Sequence, residues 1–336
     1  MFSSTSHEGV GGISQGFVAG DRVLSSFNTH PDWLAVFGDL GGLAFVGGSV
    51  VGRLHRKMRK GREDSLLVRS KGDWLALALA DGVGSAPKGV WGATLAVSVF
   101  TDWVLSKLPY VSSRKRRLRG RSAASFAGGC FPFPEGWREV GVLSWFQNEG
   151  EDSEEPPPWE DIKEYLLEAG AYTRGFLQGV AQREERPESD FATTLLFCLC
   201  NVAERKGMFF HVGDGAILGV QRGGKSLLLS LQEGQDPSET AVLTQPDWRE
   251  YCRVGFFDFR KDRLEALLLM TDGLADDCLY GPPEDVTDRF VRDLLREIRS
   301  SSSFEEAARR LVFWLGTYEV PGSFDDRTLA VVYRCG

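Results

Sequence analysis

Three apolar segments of the chain each end in an Asp-Gly pair. Asp81, Asp214 and Asp272 close these segments. A fourth aspartate, Asp325, stands shortly before the apolar segment 327–333, so the order is reversed there. We expect apolar segments of this length to form buried strands, with each carboxylate projecting from a strand end. A carboxylate in that position is costly to desolvate unless it meets a cation or hydrogen-bond donors.

Carboxylates that converge from several strand ends could not all stay ionised without a cation. The donors would be oxygen atoms alone, with no Cys/His set beside them, and such ligands suit Mg²⁺ or Mn²⁺. For any one Asp-Gly pair taken alone, an ordinary turn is the better interpretation, because Asp and Gly are typical turn residues. The repetition of the pattern at several strand ends favours a metal centre.

The composition limits the classes of function. The 336 residues are 42% hydrophobic and 26% charged, which allows one large core or two domains. A net charge of −8 argues against general nucleic-acid binding. No apolar run approaches the ~20 residues of a membrane span, and the N-terminus lacks the basic-then-apolar order of a signal peptide. We therefore expect a cytoplasmic protein that binds neither nucleic acid nor membrane.

The six cysteines lie at irregular spacings that do not indicate a disulfide framework. Cys198 and Cys200 stand two apart in an apolar run and would share one strand face, where a bridge between them is disfavoured. We interpret them as reduced core residues. His211 also lies inside an apolar strand, and we interpret it as a packed core histidine.

The chain divides by composition into an extension, a domain and an insertion. Residues 1–40 are rich in Gly and Ser and are predicted to form an N-terminal extension, partly ordered at best. Residues 41–336 are predicted to form the domain. A charged, Pro-rich stretch at about 110–158 is basic in its first half and acidic in its second, and we expect an exposed loop insertion there.

The hydrophobic pattern of the domain mixes runs of strands with pairs of helices. It predicts an α+β layered fold, because strict alternation of strand and helix is missing. Residues 232–262 are polar and are predicted to be irregular. The predicted helices cover 89–107, 159–182, 284–299 and 304–315.

The order of the motifs resembles that of the PPM family, the metal-dependent type 2C Ser/Thr protein phosphatases, and especially a divergent bacterial branch of it. The resemblance covers about residues 43–335. It implies a four-layer α-β-β-α sandwich, in which two antiparallel sheets are flanked by helix pairs and a dinuclear Mg/Mn centre lies at one edge. The motifs are Arg59 with Glu63-Asp64, Asp81-Gly82-Val83-Gly84, Ala192-Thr193-Thr194, Val212-Gly213-Asp214-Gly215, Thr271-Asp272-Gly273 with Asp276, and Asp325-Asp326-Arg327-Thr328.

The resemblance also implies roles for single residues around two metal ions. Asp81 matches the carboxylate that bridges both ions, and the carbonyl of Gly82 matches a ligand of one of them. Asp272 and Asp325 match the ligands of the second ion. Asp64 matches a carboxylate that binds through metal-held water.

Further matches concern a third ion and the phosphate. Asp214 and Asp276, together with Asp272, match the weaker third-metal site of bacterial members. Arg59 lies five residues before Asp64, where the family places its phosphate-binding arginine. Because Arg59 belongs to a basic run, an ordinary solvated face is the alternative for it.

The sequence departs from the family pattern at several positions. Val83 stands where animal members carry a histidine proposed as general acid, which leaves the protonation of the leaving group without an assigned residue. Arg62 and Asp326 each replace a common asparagine. His55, nine residues before Asp64, matches a histidine of the divergent branch and is assigned no role beyond the second shell or a phosphate contact.

These carboxylates would support phosphomonoester hydrolysis. Two divalent ions would activate a water molecule, and Arg59 would offset charge on the phosphoryl oxygens. The sequence thus predicts a signalling enzyme that hydrolyses phosphoserine and phosphothreonine in proteins, with a cognate Ser/Thr kinase as its counterpart. The alternative is a catalytically silent phosphatase fold that binds a phosphoprotein or regulatory partner.

Overall fold

A computed structural model describes residues 4–9, 13–19, 32–109, 157–231, 240–279 and 284–335. Thirteen strands and seven α-helices lie in these ranges. The strands are β1 Ser4–Gly9, β2 Ile13–Ala19, β3 Trp33–Leu40, β4 Leu43–Val50, β5 Ser65–Lys71, β6 Trp74–Ala80, β7 Leu195–Asn201, β8 Lys206–Val212, β9 Ala216–Gln221, β10 Lys225–Leu231, β11 Arg253–Asp258, β12 Leu264–Met270 and β13 Arg327–Arg334. The helices are α1 Arg53–Lys57, α2 Gly89–Lys107, α3 Trp159–Arg183, α4 Trp248–Tyr251, α5 Asp272–Leu279, α6 Glu284–Ser300 and α7 Phe304–Thr317.

The strands form two antiparallel sheets. The first has eight strands in the order β1-β2-β3-β4-β13-β12-β9-β10, and the second has five in the order β11-β8-β7-β6-β5. The last strand of the chain, β13, lies between β4 and β12 in the first sheet, with Arg327 opposite Val50 and Met270 opposite Leu329. Residues from both ends of the domain therefore meet in the middle of one sheet.

The layers follow from the alternation of side chains along the strands. On β6, Leu75, Leu77 and Leu79 point into the core between the two sheets, whereas the alanines between them lie under α2 and α3. Small residues on that outer face let the helices pack closely against the sheet. The first sheet is covered in the same way by α5, α6 and α7. The predicted α+β sandwich of two antiparallel sheets flanked by helices is confirmed.

One helix of the described ranges, Gly89–Lys107, is long and apolar enough to cross a membrane by length and composition. In this structure it is a core helix, because 61% of its apolar window is buried inside the protein. Phe100, at the centre of the helix, packs against Phe197 and Phe210 of the second sheet.

The N-terminal part of the chain is more structured than the sequence predicts. β3 lies within the stretch 1–40 that was expected to be an extension, yet it pairs along its whole length with β4. Its residues Leu34 and Ala35 are buried. The physical reason is that β3 covers the edge that β4 would otherwise expose. The predicted insertion at about 110–158 lies, apart from its last two residues, outside the described residues.

The segment 232–262 was expected to be irregular, but its described part contains α4 and β11. β11 pairs with β8 at the edge of the second sheet. Gly255 interrupts the apolar pattern of this strand, and a Cβ atom there would overlap the ring of Phe209. The hydrophobic pattern of β11 is weak for two reasons. An edge strand buries less of its surface, and Gly255 replaces a side chain in order to make room for the ring of Phe209.

The buried cysteines and histidine agree with the sequence. Cys198 and Cys200 lie side by side in the core between the sheets, with 3.7 Å between their sulfur atoms and no disulfide. His211 is buried and its Nδ1 lies 2.7 Å from Ser230 Oγ. Burial lowers the pKa of His211 to about 3, so it is neutral at physiological pH.

Arg327 holds the C-terminal end of α7 against the first sheet. Its Nη1 donates to the carbonyls of Leu315 and Tyr318 at 3.0 and 2.6 Å. Its Nη2 lies 3.4 Å from the Asp277 carboxylate, and both side chains are less than a tenth exposed. The guanidinium thus satisfies helix carbonyls that lack a partner within α7.

We expect Arg327→Met to lower the free energy of unfolding by about 3–5 kcal/mol, because Asp277 is left as a buried charge without its cation. Urea denaturation at neutral pH measures the change. Arg296→Met is the matched control: its ion pair with Asp293 is on the surface, so its loss should cost less than about 1 kcal/mol. Equal losses in the two variants would contradict the anchoring role of Arg327.

Candidate metal centre

The backbone around Asp81 is held by two threonines that follow a short 3₁₀ helix. The Asp81 amide donates to Thr194 Oγ1 at 2.9 Å. The Asp81 carbonyl accepts from Thr193 Oγ1 at 2.8 Å and from the Thr194 amide at 3.0 Å. Both polar groups of the Asp81 backbone are therefore satisfied within the motif, and the carboxylate is left to face the site.

Gly82 lets the first turn of α2 approach the end of β6. A Cβ atom at Gly82 would overlap the backbone of Gly89, the first residue of the helix. Gly82 also forms an isolated bridge with Thr193. The close packing fixes the position of the Gly82 carbonyl, the group that the sequence predicts as a ligand.

Asp64 is buried at the start of β5 and is surrounded by hydroxyl groups. Its Oδ2 accepts from Thr271 Oγ1 at 2.8 Å and from Thr328 Oγ1 at 2.5 Å. Arg62, also fully buried, donates to Ser49 Oγ at 2.6 Å and to the Asp64 carbonyl at 2.9 Å. These donors connect the loop before β5 with β4, β12 and β13, so the two sheets position Asp64 together.

Asp326 is a buried acceptor that joins three segments of the chain. Its Oδ1 accepts from the Gly52 amide at 2.6 Å, and its Oδ2 accepts from the Glu63 amide at 2.5 Å and the Asp64 amide at 3.3 Å. His55 Nδ1 lies 3.0 Å from Asp326 Oδ1. The carboxylate thus fixes the backbone next to Asp64 while it stands beside Asp325.

His55 occupies the space between Asp326 and Glu63. Its Nε2 lies 3.4 Å from Glu63 Oε2. The hydrogen bond with Asp326 is the main cause that raises the pKa of His55 to about 9, so the ring is protonated at neutral pH. His55 is therefore a buried cation that balances the Asp326 and Glu63 carboxylates. Its contacts keep α1 close to the site.

Two glycines allow the backbone at Asp325 and Asp326 to lie close to other chain segments. A Cβ atom at Gly52 would overlap the Asp325 carbonyl, and one at Gly273 would overlap the Asp326 carbonyl. Asp272 is the first residue of α5, and its Oδ1 accepts from the Gly273 amide at 2.7 Å. Asp272 and Asp325 are thereby brought to the same corner of the first sheet.

The end of β8 contributes Asp214. Gly213 precedes it with a positive φ of 133°, and a Cβ atom there would overlap the side chain of Thr194. The Asp214 Oδ2 accepts from the hydroxyl of Thr240, whereas its buried Oδ1 has no hydrogen-bond partner among the described residues.

The predicted carboxylates share one electrostatic environment. Burial raises the pKa of Asp81 well above its ordinary value, and the charges of Asp272, Asp64 and Asp325 raise it further. Burial followed by the charges of Asp214, Asp64 and Asp325 does the same to Asp272. The structure therefore brings the ends of β6, β8 and β12 and the start of β13 to one place.

Asp64 and Asp276 complete the cluster. The pKa of Asp64 is raised to about 7, by burial first and then by the charge of Asp326, although the two threonine hydroxyls lower it. The pKa of Asp276 is also raised, by burial and by the charges of Asp214, Asp277 and Asp325. Each of the six predicted carboxylates therefore interacts electrostatically with at least one of the others; the six are Asp64, Asp81, Asp214, Asp272, Asp276 and Asp325.

The residues present fit divalent metal ions. The donor set consists of carboxylate oxygens from Asp64, Asp81, Asp214, Asp272 and Asp325, the type of ligand that Mg²⁺ and Mn²⁺ prefer. The unpartnered Oδ1 of Asp214 is a buried acceptor that a cation would satisfy. A cation would also relieve the repulsion that raises the pKa values of the cluster.

Arg59 differs from the carboxylates in its surroundings. Its side chain is exposed, and its backbone has a positive φ of 59° where the chain turns after α1. No hydrogen bond or ion pair joins its guanidinium to the carboxylate cluster within the described residues. The phosphate-binding role of Arg59 therefore stays a prediction.

The sequence singles out the carboxylates but not most of the groups that hold them in place. Thr193 and Thr194 belong to one of the motifs, but the sequence assigned no role to their hydroxyls, which fix the backbone of Asp81. Thr328 and Thr271, which donate to Asp64, were assigned no role. Their position directly beside Asp-containing motifs was the available signal. The helical start at Asp272 was also missed, because Asp-Gly indicated a turn.

Comparisons with known proteins agree with this geometry. The family model for Protein phosphatase 2C matches residues 51–316. No curated protein sequence matches the chain significantly.

Solved structures of bacterial phosphatases share the fold. A bacterial serine phosphatase is 16% identical with a TM-score of 0.53, and the match covers 88% of this chain and 98% of that chain. The serine/threonine phosphatase Stp1 from Staphylococcus aureus is 14% identical with a TM-score of 0.53, over 89% of this chain and 96% of that chain. The serine/threonine phosphatase of S. agalactiae is 14% identical with a TM-score of 0.51, over 87% of this chain and 100% of that chain.

We expect Asp272→Asn to stabilise the metal-free protein. The substitution removes one buried charge from a repelling cluster, while Asn still suits the start of a helix. In EDTA the free energy of unfolding should rise by at least about 1 kcal/mol, the interaction of two unit charges about 4 Å apart in water. Asp293→Asn, on the exposed face of α6, is the control and should change little. A loss of stability in Asp272→Asn would contradict the repulsion.

Proposed function

This chain belongs to the protein phosphatase 2C family of phosphoprotein phosphatases, and we propose that it hydrolyses phosphoserine and phosphothreonine in proteins at a dinuclear Mg/Mn centre. The observation that carries this proposal is the convergence of buried and partly buried carboxylates from both sheets on one corner, where the pKa values of Asp81 and Asp272 are raised. Such a cluster is costly to fold unless cations offset its charge. Its position at the strand ends leaves it accessible to a substrate.

In the proposed site Asp81, at the end of β6, would bind both ions, and the Gly82 carbonyl would bind one of them. Asp272 and Asp325, which adjoin strands of the first sheet, would bind the second ion. Asp64 contributes through a water molecule. Asp214 and Asp276 form a weaker third site with Asp272. When bound, the ions lower the pKa of water and neutralise phosphoryl oxygens.

The protein's own residues supply orientation and a cation. Thr193 and Thr194 fix the backbone of Asp81, so its carboxylate does not have to reorganise when a substrate binds. The hydroxyls of Thr271 and Thr328 keep Asp64 in one rotamer. Arg59 is exposed at the turn after α1 and offers a guanidinium for the equatorial oxygens of the phosphoryl group.

We assign the enzyme to cytoplasmic signalling, opposite a Ser/Thr kinase that phosphorylates the same protein. The overall net charge of −8 makes a nucleic-acid partner unfavourable. The second candidate function is a silent phosphatase fold that binds a phosphoprotein. Completeness of the carboxylate set favours turnover over this alternative, since Asp64, Asp81, Asp272 and Asp325 are all present.

We expect the purified protein to hydrolyse p-nitrophenyl phosphate with Mn²⁺ or Mg²⁺ and to lose this activity in EDTA. Asp81→Asn and Asp272→Asn should each lower kcat/KM more than about 100-fold, the upper limit for residues that only support ligands. Titration calorimetry with Mn²⁺ should show weakened binding in both variants.

The control for these variants is Asp293→Asn, which leaves the cluster intact. If folded, Mn²⁺-loaded wild type shows no turnover, the phosphatase activity is excluded and the silent phosphoprotein-binding fold is favoured. Absence of Mn²⁺ binding would exclude the metal centre itself.

Arg59→Met should lower kcat/KM for p-nitrophenyl phosphate by about 10–100-fold, because a hydrogen bond to a charged group is worth about 1.5–3 kcal/mol. Arg59→Lys should retain part of the activity, since lysine keeps the charge but loses the planar pair of donors. Arg296→Met is the control on α6. Unchanged kinetics in Arg59→Met would assign Arg59 to the solvated face of the basic run.

A further inference from the structure

The surface of α1 carries exposed apolar and basic side chains next to the candidate metal centre. We call this the α1 surface and define it by Leu54, Arg56, Lys57, Met58 and Phe324. All five side chains are exposed. The surface is separate from the carboxylate cluster, and neither the metal centre nor the roles proposed above account for it.

The three apolar residues of the α1 surface are joined to one another through backbone hydrogen bonds. Leu54, Met58 and Phe324 are 48%, 57% and 54% exposed. Met58 donates its amide to the Leu54 carbonyl at 2.9 Å, so the two residues lie one helical turn apart. The Leu54 amide donates to the Phe324 carbonyl at 3.0 Å, which brings the third residue beside them. Exposed apolar residues grouped in this way mark interaction sites.

The basic part has few carboxylates to balance it. Residues 53–60 contain Arg53, Arg56, Lys57, Arg59 and Lys60 and no acidic residue. Arg53 pairs with Glu319 at 3.5 Å, and Lys60 pairs with Glu63 at 3.4 Å. Within the described part of the chain, no carboxylate forms an ion pair with Arg56 or Lys57. On a protein with a net charge of −8 this is a local region of opposite sign.

The α1 surface lies directly beside the site. Phe324 precedes Asp325 in the chain, and Gly52, which precedes α1, lies against the Asp325 backbone. His55, on the inner side of α1, contacts Asp326. A polypeptide that crosses α1 while it presents a phosphorylated residue to the metal centre would contact this surface with residues close to the phosphate.

We propose that the α1 surface selects the substrate: it binds the segment of a phosphoprotein that places acidic residues and one large apolar side chain beside the phosphoserine or phosphothreonine. The acidic residues would face Arg56 and Lys57, and the apolar side chain would cover Leu54, Met58 and Phe324. This inference rests on the proposed phosphatase function and adds a substrate class to it.

The experiment compares kcat/KM for synthetic phosphopeptides with the same phosphoserine and different neighbours. One peptide carries Glu residues and a Leu, a second carries Glu residues and a Ser, and a third carries Lys residues and a Leu. The test variant is Arg56→Glu with Lys57→Glu. The control, Lys163→Glu with Arg183→Glu on α3, changes two exposed cations and the net charge by the same amount.

We expect the test variant to lose about tenfold in kcat/KM on the Glu/Leu peptide through a higher KM, because rim charges that attracted the peptide now repel it. Its rate on the Lys/Leu peptide should rise, and its rate on p-nitrophenyl phosphate should not change. The loss should shrink in high salt, since exposed charges are screened. A second variant, Leu54→Ser with Met58→Ser, should remove the preference for the Leu peptide over the Ser peptide.

Equal effects of the test and control variants, or equal kcat/KM of wild type for all three peptides, would overturn the proposal. If wild type does not hydrolyse p-nitrophenyl phosphate, the phosphatase function fails. Binding of the same peptides, measured by fluorescence anisotropy, then tests the substrate selection separately. Wild type that prefers the Glu/Leu peptide, together with a test variant that lacks this preference, would support the selection. Equal binding of all three peptides by wild type would reject it.

Discussion

Repulsion among buried carboxylates is the constraint on which the rest of this structure depends. Asp64 is buried and Asp81 and Asp272 are partly buried. The charges of Asp64 and Asp272 raise the pKa of Asp81, and the charge of Asp64 also raises the pKa of Asp272. Without a cation the arrangement opposes folding, so the surrounding fold must hold it in place. Hydroxyl donors, close glycine contacts and strand pairing do so from both sheets. The site is thus built at the expense of stability, as is common for functional sites.

Asp326 connects distant parts of the chain around the carboxylate cluster. It binds the amides at Gly52 and Glu63 and the ring of His55, and it directly follows Asp325. One buried carboxylate therefore aligns α1, the loop before β5 and the start of β13. The protonated His55 places a positive charge beside the Asp326 carboxylate. The same pair determines where α1 lies, and with it the surface offered to a substrate.

The sequence predicted the elements whose signals are local and strong. The apolar segment that ends at Asp81 and the apolar pattern of 89–107 predicted a strand and a helix that the structure contains, because each reflects a buried face. Asp81, Asp214, Asp272 and Asp325 were singled out because each ends or precedes an apolar strand, whereas Asp64 and Asp276 were assigned from the family resemblance. β11 was missed because an edge strand buries less of its surface and shows a weak pattern. β3 was missed because it follows a stretch rich in Gly and Ser, and the whole stretch 1–40 was interpreted as an extension. The supporting hydroxyls, such as Thr328, were missed because their partners lie far away in sequence.

The position of β13 has a consequence for how the protein folds. The hydrogen bond between the Glu63 amide and Asp326 spans 263 positions, and β13 separates β4 from β12 in the first sheet. Until the last strand has left the ribosome, β4 and β12 each keep an unpaired edge in the middle of the molecule. Contacts so distant in sequence form slowly. A chain that ends before Arg327 would lack a central strand of the first sheet, so the sheet can close only after residues 327–334 have been synthesised.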